Sequence, residues 1–236
     1  MESHIRDAIT HAQATLDKES CGLFIVRKGR ISYFPCSNSH SDPVNRFSIS
    51  ALDWVNADAA GEIVGIVHSH PTKAPVPSQA DIVACEKSGL PWTIVNPRTE
   101  EFRTFAPTGY EAPLYGREYC HGVIDCYSFV RDFYAQEYNV ILRDYERVDG
   151  WWHKGFDLYK DYMSAEGFYP ITAAEVLPGD GFILNITSNV GNHGAIYLGG
   201  NLIAHHLYGR LSSRDIYGEY YRKHTVMCVR HKEINQ

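Results

Sequence analysis

The chain has 236 residues, enough for one large domain or two small ones, and 44% of them are hydrophobic and 21% charged, as in an ordinary globular protein. Its net charge is -6 and it contains no basic tract, which argues against nucleic acid as a partner because phosphate binding needs clustered Lys and Arg. No apolar run approaches the roughly 18 residues that span a bilayer, and the N-terminal segment lacks the apolar centre of a signal peptide, so we expect neither a membrane span nor export by that route.

The first hundred residues alternate between predicted helices and strands. The patterns predict a helix over 4–16, a hairpin over 21–36 turning at Lys28–Gly29, a helix over 51–60 capped by Ser50, a buried strand over 62–70, a helix over 79–88 and strands over 91–96 and 101–106. The strand over 62–70 ends in two histidines. Ser78 and Asp81 have the spacing of a capping box at the start of the helix that follows.

A break in periodicity over 107–116, with two prolines and two glycines, predicts a domain boundary. We place a first domain at 1–107, a linker at 108–113 and a second domain at 114–236. The second domain has predicted helices over 126–139 and, more weakly, over 151–167, followed by strands over 181–187, 193–200, 201–207 and 225–231. Helices followed by an antiparallel run indicate an α+β fold. Six scattered cysteines without a CxxC pair indicate reduced thiols in a cytoplasm.

The first candidate site is a set of metal ligands. A catalytic zinc commonly has three protein ligands and one open position. His68 and His70 are two residues apart at a strand end, so both side chains point to one face, and Asp81 lies on the first turn of the next helix. Glu19 is the candidate general base for the metal-bound water, and Ser78 the candidate donor to the oxyanion. The alternative is a surface histidine pair beside an ordinary helix cap.

The whole string resembles the JAMM (Mov34/MPN) metallopeptidase motif. In chain order, Glu19 in "ESCGL" comes first and the string His68-Ser69-His70-Pro71 follows it. Seven residues then separate His70 from Ser78, and two separate Ser78 from Asp81. The resemblance covers residues 1 to about 106 and implies a Mov34/MPN-like α/β sandwich with Zn²⁺. It implies that His68, His70 and Asp81 bind the zinc, that Glu19 activates water and that Ser78 stabilises the oxyanion.

The second candidate site centres on a cysteine. Cys126 begins a predicted helix, where the helix dipole favours a thiolate, and Asp125 can cap that helix. The candidate bases are His193 and one of His205 and His206, and neighbouring strands can set His205 beside His193 so that the second histidine orients the first. His206 is the alternative to His205, and whichever of the two lies outside the site is expected to be half-buried packing or surface. With six cysteines and twelve histidines in the chain, a chance arrangement is the competing interpretation.

The strings "HGVIDCYSFV", "LPGDGFIL" and "NHGAIYLGGNLIAHH" resemble the NlpC/P60 cysteine peptidases, a papain-like α+β family. The resemblance implies that Cys126 is the nucleophile, His193 the base and His205 the orienter, with Tyr119 near the oxyanion site. The sequence departs from the family pattern at two positions, Tyr127 beside Cys126 and Ala195 after His193-Gly194. Neither departure removes a catalytic group, but both leave the identity of the substrate open.

The combination of both domains over nearly the whole chain resembles the tail assembly proteins of lambda-like phages. That resemblance implies partners among tail-tip proteins, a location in the host cytoplasm during assembly, and cleavage of peptidoglycan peptides or of a tail protein. It leaves open whether the protein stays at the virion tail tip. We therefore expect a two-domain peptidase. The alternatives are an assembly factor whose pockets bind without cutting and, last, a deubiquitinase-like enzyme acting on host proteins.

Overall fold

The computed structural model describes residues 1–234 and divides the chain into two compact units, one ending at Glu111 and the other beginning at Ala112. Each unit has a mixed sheet-and-helix architecture with its own apolar core. The predicted α+β organisation in two domains is confirmed. Among residues 1–234, every helix is too short or too polar to cross a bilayer.

The first unit is a five-stranded sheet with helices on both faces. Its elements are α1 (Ser3–Gln13), β1 (Cys21–Arg27), β2 (Arg30–Cys36), α2 (Ala51–Ala60), β3 (Glu62–Ser69), α3 (Gln79–Ser88), β4 (Trp92–Val95) and β5 (Phe102–Phe105). The strand order is β2-β1-β3-β4-β5, with β3 and β4 parallel and the other neighbours antiparallel. Because α3 connects the two parallel strands, its first turn lies at the end of β3 where the two histidines are.

Two apolar clusters cover the two faces of this sheet. On one face, α1 packs Ile5 and Ile9 against Phe24 and Val67. On the other face, the helices α2 and α3 contribute small side chains beside the strand residues Leu23, Ile25, Ile66 and Trp92. The predicted helix over 4–16 was too long, because the chain leaves the helix after Gln13 and Leu16 lies exposed in the turn that follows.

The second unit is a six-stranded antiparallel sheet with a long helix packed on it. Its elements are α4 (Cys126–Tyr138), α5 (Leu158–Tyr162), β6 (Phe168–Ile171), β7 (Gly181–Leu184), β8 (His193–Gly199), β9 (Leu202–His205), β10 (Ser213–Ile216), α6 (Glu219–His224) and β11 (Thr225–His231). The strand order is β10-β9-β8-β7-β11-β6. Helix α4 buries Phe129, Phe133 and Tyr134 together with Ile196 of β8 and Ala204 of β9, which sets its first residue, Cys126, near the start of β8.

The sequence patterns missed three elements of this unit, β6, β10 and α6, which are only four to six residues long. The helix predicted over 151–167 was wrong in extent. The structure has one 3₁₀ turn at Trp151–His153 and the short α5, with Gly155 between them at φ +84°. A glycine in the left-handed region ends a helix, so the apolar spacing there could not continue as one element.

Candidate active sites

The first candidate site is formed where β3 ends and α3 begins. The Nε2 atoms of His68 and His70 lie 3.2 Å apart, and both side chains are buried. The carboxylate of Asp81 faces them, with Oδ1 3.5 Å from Nε2 of His68 and Oδ2 3.8 Å from Nε2 of His70. The structure therefore brings together the three side chains that the sequence nominates as ligands.

Different contacts orient the two imidazoles. His70 donates from Nδ1 to the carbonyl of Ala74 at 3.1 Å, which leaves its Nε2 lone pair directed at the site. His68 stacks on Phe47 with ring centroids 4.6 Å apart and meets Trp92 edge-on, and its buried Nδ1 has no hydrogen-bond partner among residues 1–234. Burial lowers the pKa of His68 to about 4, although Asp81 opposes the shift, so the ring is neutral as a ligand must be.

The geometry fits a tetrahedral zinc. With Zn–N bonds of about 2.0 Å, ligand atoms around such an ion lie about 3.3 Å apart, which is close to the separations seen here. Two imidazole nitrogens and one carboxylate are also the donor set of an open catalytic zinc site. In the part of the chain that the structure describes, this is the one group of three or more His, Cys, Asp or Glu side chains whose ligand atoms converge, all within 4.8 Å.

Glu19 lies beside this cluster because β1 and β3 pair. Cys21 is opposite His68 in the sheet, and the backbone N–H of Ser20 donates to Oγ of Ser69 at 2.8 Å. The Glu19 side chain is 7% exposed, and burial, together with the Asp81 carboxylate, raises the pKa of Glu19 to about 8.

Ser78 is hydrogen-bonded to Asp81, one of the three candidate ligands. Its hydroxyl donates to Oδ2 of Asp81 at 2.7 Å and accepts the Asp81 backbone N–H at 3.1 Å, and its own N–H donates to the same carboxylate. These contacts form the predicted capping box. Ser78 therefore holds the Asp81 carboxylate in the structure, whereas the sequence predicts an oxyanion donor.

The second candidate site is built around Cys126 at the start of α4. Asp125 caps the helix by accepting the Ser128 N–H at 2.9 Å, and it also accepts from Arg147 Nε at 2.7 Å. The Cys126 sulfur lies 3.5 Å from the hydroxyl of Tyr159 and 3.8 Å from the carbonyl of Asn192, the residue before His193. The thiol is 8% exposed.

The expectation of a lowered thiol pKa is not met in this resting arrangement. Burial raises the pKa of Cys126 to about 11, and the neighbouring Asp125 carboxylate acts in the same direction. The hydrogen bonds from Tyr159 and from the Gly194 backbone, together with the charge of Arg147, favour the thiolate, but desolvation outweighs them. Deprotonation of Cys126 therefore requires a base.

His193 and His205 form the predicted pair. The Nε2 of His193 lies 2.9 Å from Nδ1 of His205, and both rings are buried. In the pairing of β8 with β9, His205 is opposite Ala195, so His193 is its diagonal neighbour on the same face. Nε2 of His205 then lies 3.3 Å from Oδ2 of Asp215 on β10.

His206 was wrongly expected to be half-buried or at the surface. It is completely buried, its ring centroid is 5.0 Å from that of Tyr119, and neither of its nitrogens has a hydrogen-bond partner among residues 1–234.

Three residues of this second site were missed by sequence reasoning: Arg147, Tyr159 and Asp215. Arg147 and Tyr159 belong to the segment 143–167, which also covers an apolar cavity of about 70 Å³ beside α4, lined by aromatic side chains such as Tyr127, Trp151 and Tyr159. The density of aromatic residues in this segment was the available signal. No sequence signal pointed to Asp215, since an acidic residue on a short edge strand is common.

Comparison with known proteins agrees with this two-part architecture. A profile of prokaryotic homologs of the JAB domain matches residues 1–107, and the NlpC/P60 family matches residues 116–230. The chain is therefore a two-domain protein with an N-terminal JAB-like domain and a C-terminal NlpC/P60 domain.

Two curated relatives share this composition. The chain is 37% identical over 233 residues to "Tail tip assembly protein K" of Escherichia phage N15, covering 97% of this chain and 94% of the relative. It is 37% identical over 185 residues to "Tail tip assembly protein K" of Escherichia phage lambda, covering 78% of this chain and 89% of the relative. The chain belongs to the family of tail tip assembly protein K, as the resemblance of the two joined domains predicts. A solved NLP/P60-family lipoprotein of Staphylococcus aureus is 18% identical with a TM-score of 0.34, covering 85% of this chain and 56% of that one.

Proposed function

We propose that this protein assists assembly of a phage tail tip and carries two peptidases, a cysteine endopeptidase and a zinc-dependent (iso)peptidase. Two contacts near the helix N-terminus carry the proposal. The Cys126 sulfur lies 3.8 Å from the carbonyl of Asn192, the residue before His193, and Nε2 of His193 lies 2.9 Å from Nδ1 of His205. Such a nucleophile, base and orienter define acyl transfer by a cysteine. Membership in the tail tip family supports tail proteins as partners, in the host cytoplasm during assembly and at the virion tail tip afterwards.

The cysteine site can act through residues of the chain alone. His193 takes the proton of Cys126, and the sulfur attacks the carbonyl carbon of the scissile peptide bond. The protonated imidazole then gives this proton to the leaving amine as the C–N bond breaks, which leaves a thioester on Cys126. A water molecule, deprotonated by His193, hydrolyses the thioester and restores the thiol. The substrates we propose are peptidoglycan peptides or a tail protein.

The first site is proposed to act with zinc held by His68, His70 and Asp81. When bound, zinc supplies Lewis-acid chemistry, which polarises a carbonyl group and makes water acidic. Glu19 is placed to hold the proton taken from water and to deliver it to the leaving amine. Ser78 keeps the Asp81 carboxylate in place through its two hydrogen bonds, and its hydroxyl is the proposed donor to the oxyanion only after it leaves that carboxylate.

The test uses the purified full chain with muropeptides and with tail tip proteins as substrates. We expect Cys126→Ser to abolish one cleavage and Glu19→Gln to abolish a different one, while Glu19→Gln retains its bound zinc because it replaces no ligand. Zinc content measured on each variant separates loss of metal from loss of the base. If both variants cleave every substrate as the unaltered chain does, the two-peptidase proposal is wrong.

A second candidate function is an assembly factor that binds partners without cutting them. The observation that favours it is the covered thiol, which is 8% exposed, lies 3.5 Å from the Tyr159 hydroxyl and has a pKa raised to about 11. Phages carrying Cys126→Ser distinguish the two. Normal tail assembly and normal infection by this variant would show that the cysteine chemistry is dispensable and would favour the binding function.

A further inference from the structure

The pair of histidines behind Cys126 is extended by a carboxylate that lies on the neighbouring strand. Asp215 on β10 faces the ring of His205, with Oδ2 3.3 Å from Nε2. Strand pairing fixes this proximity, because Ser213 is opposite His205 and Asp215 follows two residues later on the same side of the strand. The Asp215 carboxylate lies within reach of Nε2 of His205, although the angle at this 3.3 Å contact departs from that of a hydrogen bond and Nε2 bonds to no other group among residues 1–234.

Hydrogen bonds from three side chains hold the Asp215 carboxylate in place. Arg210 donates to both oxygens at 2.9 and 3.3 Å, the Tyr221 hydroxyl donates at 2.6 Å, and the Ser213 hydroxyl donates at 3.2 Å. Burial would raise the pKa of Asp215, but the bonds from Tyr221 and Arg210 outweigh it and hold the pKa well below its usual range. Asp215 is therefore an anion and a pure hydrogen-bond acceptor at neutral pH.

An anionic acceptor at this position favours one placement of the protons on both rings. A neutral imidazole has one N–H donor and one bare acceptor nitrogen. If Nε2 of His205 carries its proton toward Asp215, then Nδ1 of His205 is bare and must accept from His193. Nε2 of His193 then carries the proton, and its Nδ1 is left bare. If His193 is instead protonated on Nδ1, that nitrogen has no free lone pair with which to accept a second proton.

We propose that Asp215 is a positioning residue that selects the tautomers of His205 and His193, leaving Nδ1 of His193 bare as the base for Cys126. The inference rests on the cysteine peptidase function proposed above. Asp215 touches neither the thiol nor a substrate in this arrangement, and it acts through His205. The same anion also stabilises the imidazolium that forms when His193 takes the thiol proton, since the positive charge is shared along the 2.9 Å contact.

The tautomers can be observed directly, without any substrate. In the full chain labelled with ¹⁵N at histidine, long-range ¹H–¹⁵N correlation spectra distinguish a ring protonated on Nε2 from one protonated on Nδ1. We expect both His193 and His205 to be protonated on Nε2 near pH 7.5. Asp215→Asn should place a measurable fraction of His193 in the Nδ1-protonated form. The amide can donate to Nε2 of His205, which reverses the direction of the hydrogen bond between His205 and His193.

Thiol reactivity is the second readout. Asp215→Asn should slow the alkylation of Cys126 by iodoacetamide by about tenfold, which corresponds to a thiolate pKa raised by about one unit. The matched control is Glu137→Gln, which removes one carboxylate from the exposed side of α4 in the same unit and should leave both readouts unchanged. Asp215→Ala is the second variant, in case the amide beside Arg210 prevents folding, and unfolding temperatures are measured for all of them.

Unchanged tautomers and unchanged alkylation in a folded Asp215→Asn or Asp215→Ala variant would overturn the inference, as would a His193 ring protonated on Nδ1 in the unaltered chain. Failure of the proposed function looks different. If the tautomers respond as expected but no peptide is cleaved by the unaltered chain, the peptidase proposal fails and the role of Asp215 in setting the tautomers stands.

Discussion

Tyr159 lies beside Cys126 and has two opposite effects on its thiol. Its hydroxyl, 3.5 Å from the sulfur, favours the thiolate, while the bulk of the side chain beside the thiol adds to its burial. Tyr159→Phe keeps the ring and removes the hydroxyl. We expect the pKa of Cys126 to rise and iodoacetamide alkylation to slow by roughly tenfold, since a hydrogen bond to a charged group contributes about 1.5 kcal/mol.

Tyr159→Ala is the contrasting variant, because it removes the cover as well and should speed alkylation. Rates measured over a range of pH separate a change in thiol pKa from a change in access, since access alters the rate at every pH. Equal rates for the unaltered chain and Tyr159→Phe would contradict a hydrogen bond to the thiolate.

The buried His206 is expected to lower the stability of the folded protein in acid. Burial lowers the pKa of His206 from 6.5 to about 4, so between these values the unfolded chain binds a proton that the folded chain does not. The free energy of unfolding therefore falls as pH falls through this window. His206→Leu should make the drop in urea midpoint between pH 7.5 and pH 5.0 smaller. Part of the drop should remain, because the pKa values of His193 and His205 are also lowered by burial. An identical drop in both chains would contradict this role of His206.

At the scale of elements, two helix caps of the first unit have the same chemistry and different neighbours. Ser78 caps α3 and holds the Asp81 carboxylate, and Ser50 caps α2 and contacts Asp53 in the same way. Replacing either serine by alanine should cost about 1 kcal/mol of stability. Only Ser78→Ala should also weaken zinc binding, by about 10- to 100-fold, because it frees the carboxylate of a proposed ligand.

The measurement is zinc affinity by competition with a chromophoric chelator, with the unfolding temperature of each variant recorded alongside. Ser50→Ala is the control for the lost cap. Zinc affinities that fall equally in both variants would show that cap stability, not the orientation of Asp81, governs the site. This assay also separates a positioning role of Ser78 from an oxyanion role, which would appear in the cleavage rate at full zinc occupancy.

At the scale of the whole molecule, the chain contains two units with separate cores and one proposed site in each. Removing zinc with an excess of chelator should lower the unfolding temperature of the first unit alone, because a ligand stabilises only the structure that binds it. The alkylation rate of Cys126 should not change. Calorimetry and alkylation with and without chelator check this, and Asp81→Asn should reproduce the effect of the chelator. A slower alkylation of Cys126 after chelation would show that the two sites are coupled.

The sequence by itself determined those features that depend on short-range geometry. Period-2 alternation puts His68 and His70 on one face of a strand, and the capping-box spacing puts Asp81 on the first turn of the next helix. The same holds for Cys126, which the preceding Asp125 places at a helix N-terminus. The two-domain organisation also follows from local strings and from the break in periodicity over 107–116. Weak or short elements, such as β10 and α6, were missed because four to six residues carry too little periodicity.

Only the tertiary structure decided which distant residues complete the sites and what state their ionisable groups adopt. Asp215 reaches His205 across a strand pair, and Tyr159 reaches Cys126 from a segment 33 residues further along the chain. The thiol pKa rises instead of falling because desolvation is a sum over all neighbours in space, most of them remote in sequence, whereas the helix dipole that favours the thiolate is a local property. Local patterns therefore nominate the chemical groups, and the packing of the whole domain sets their protonation.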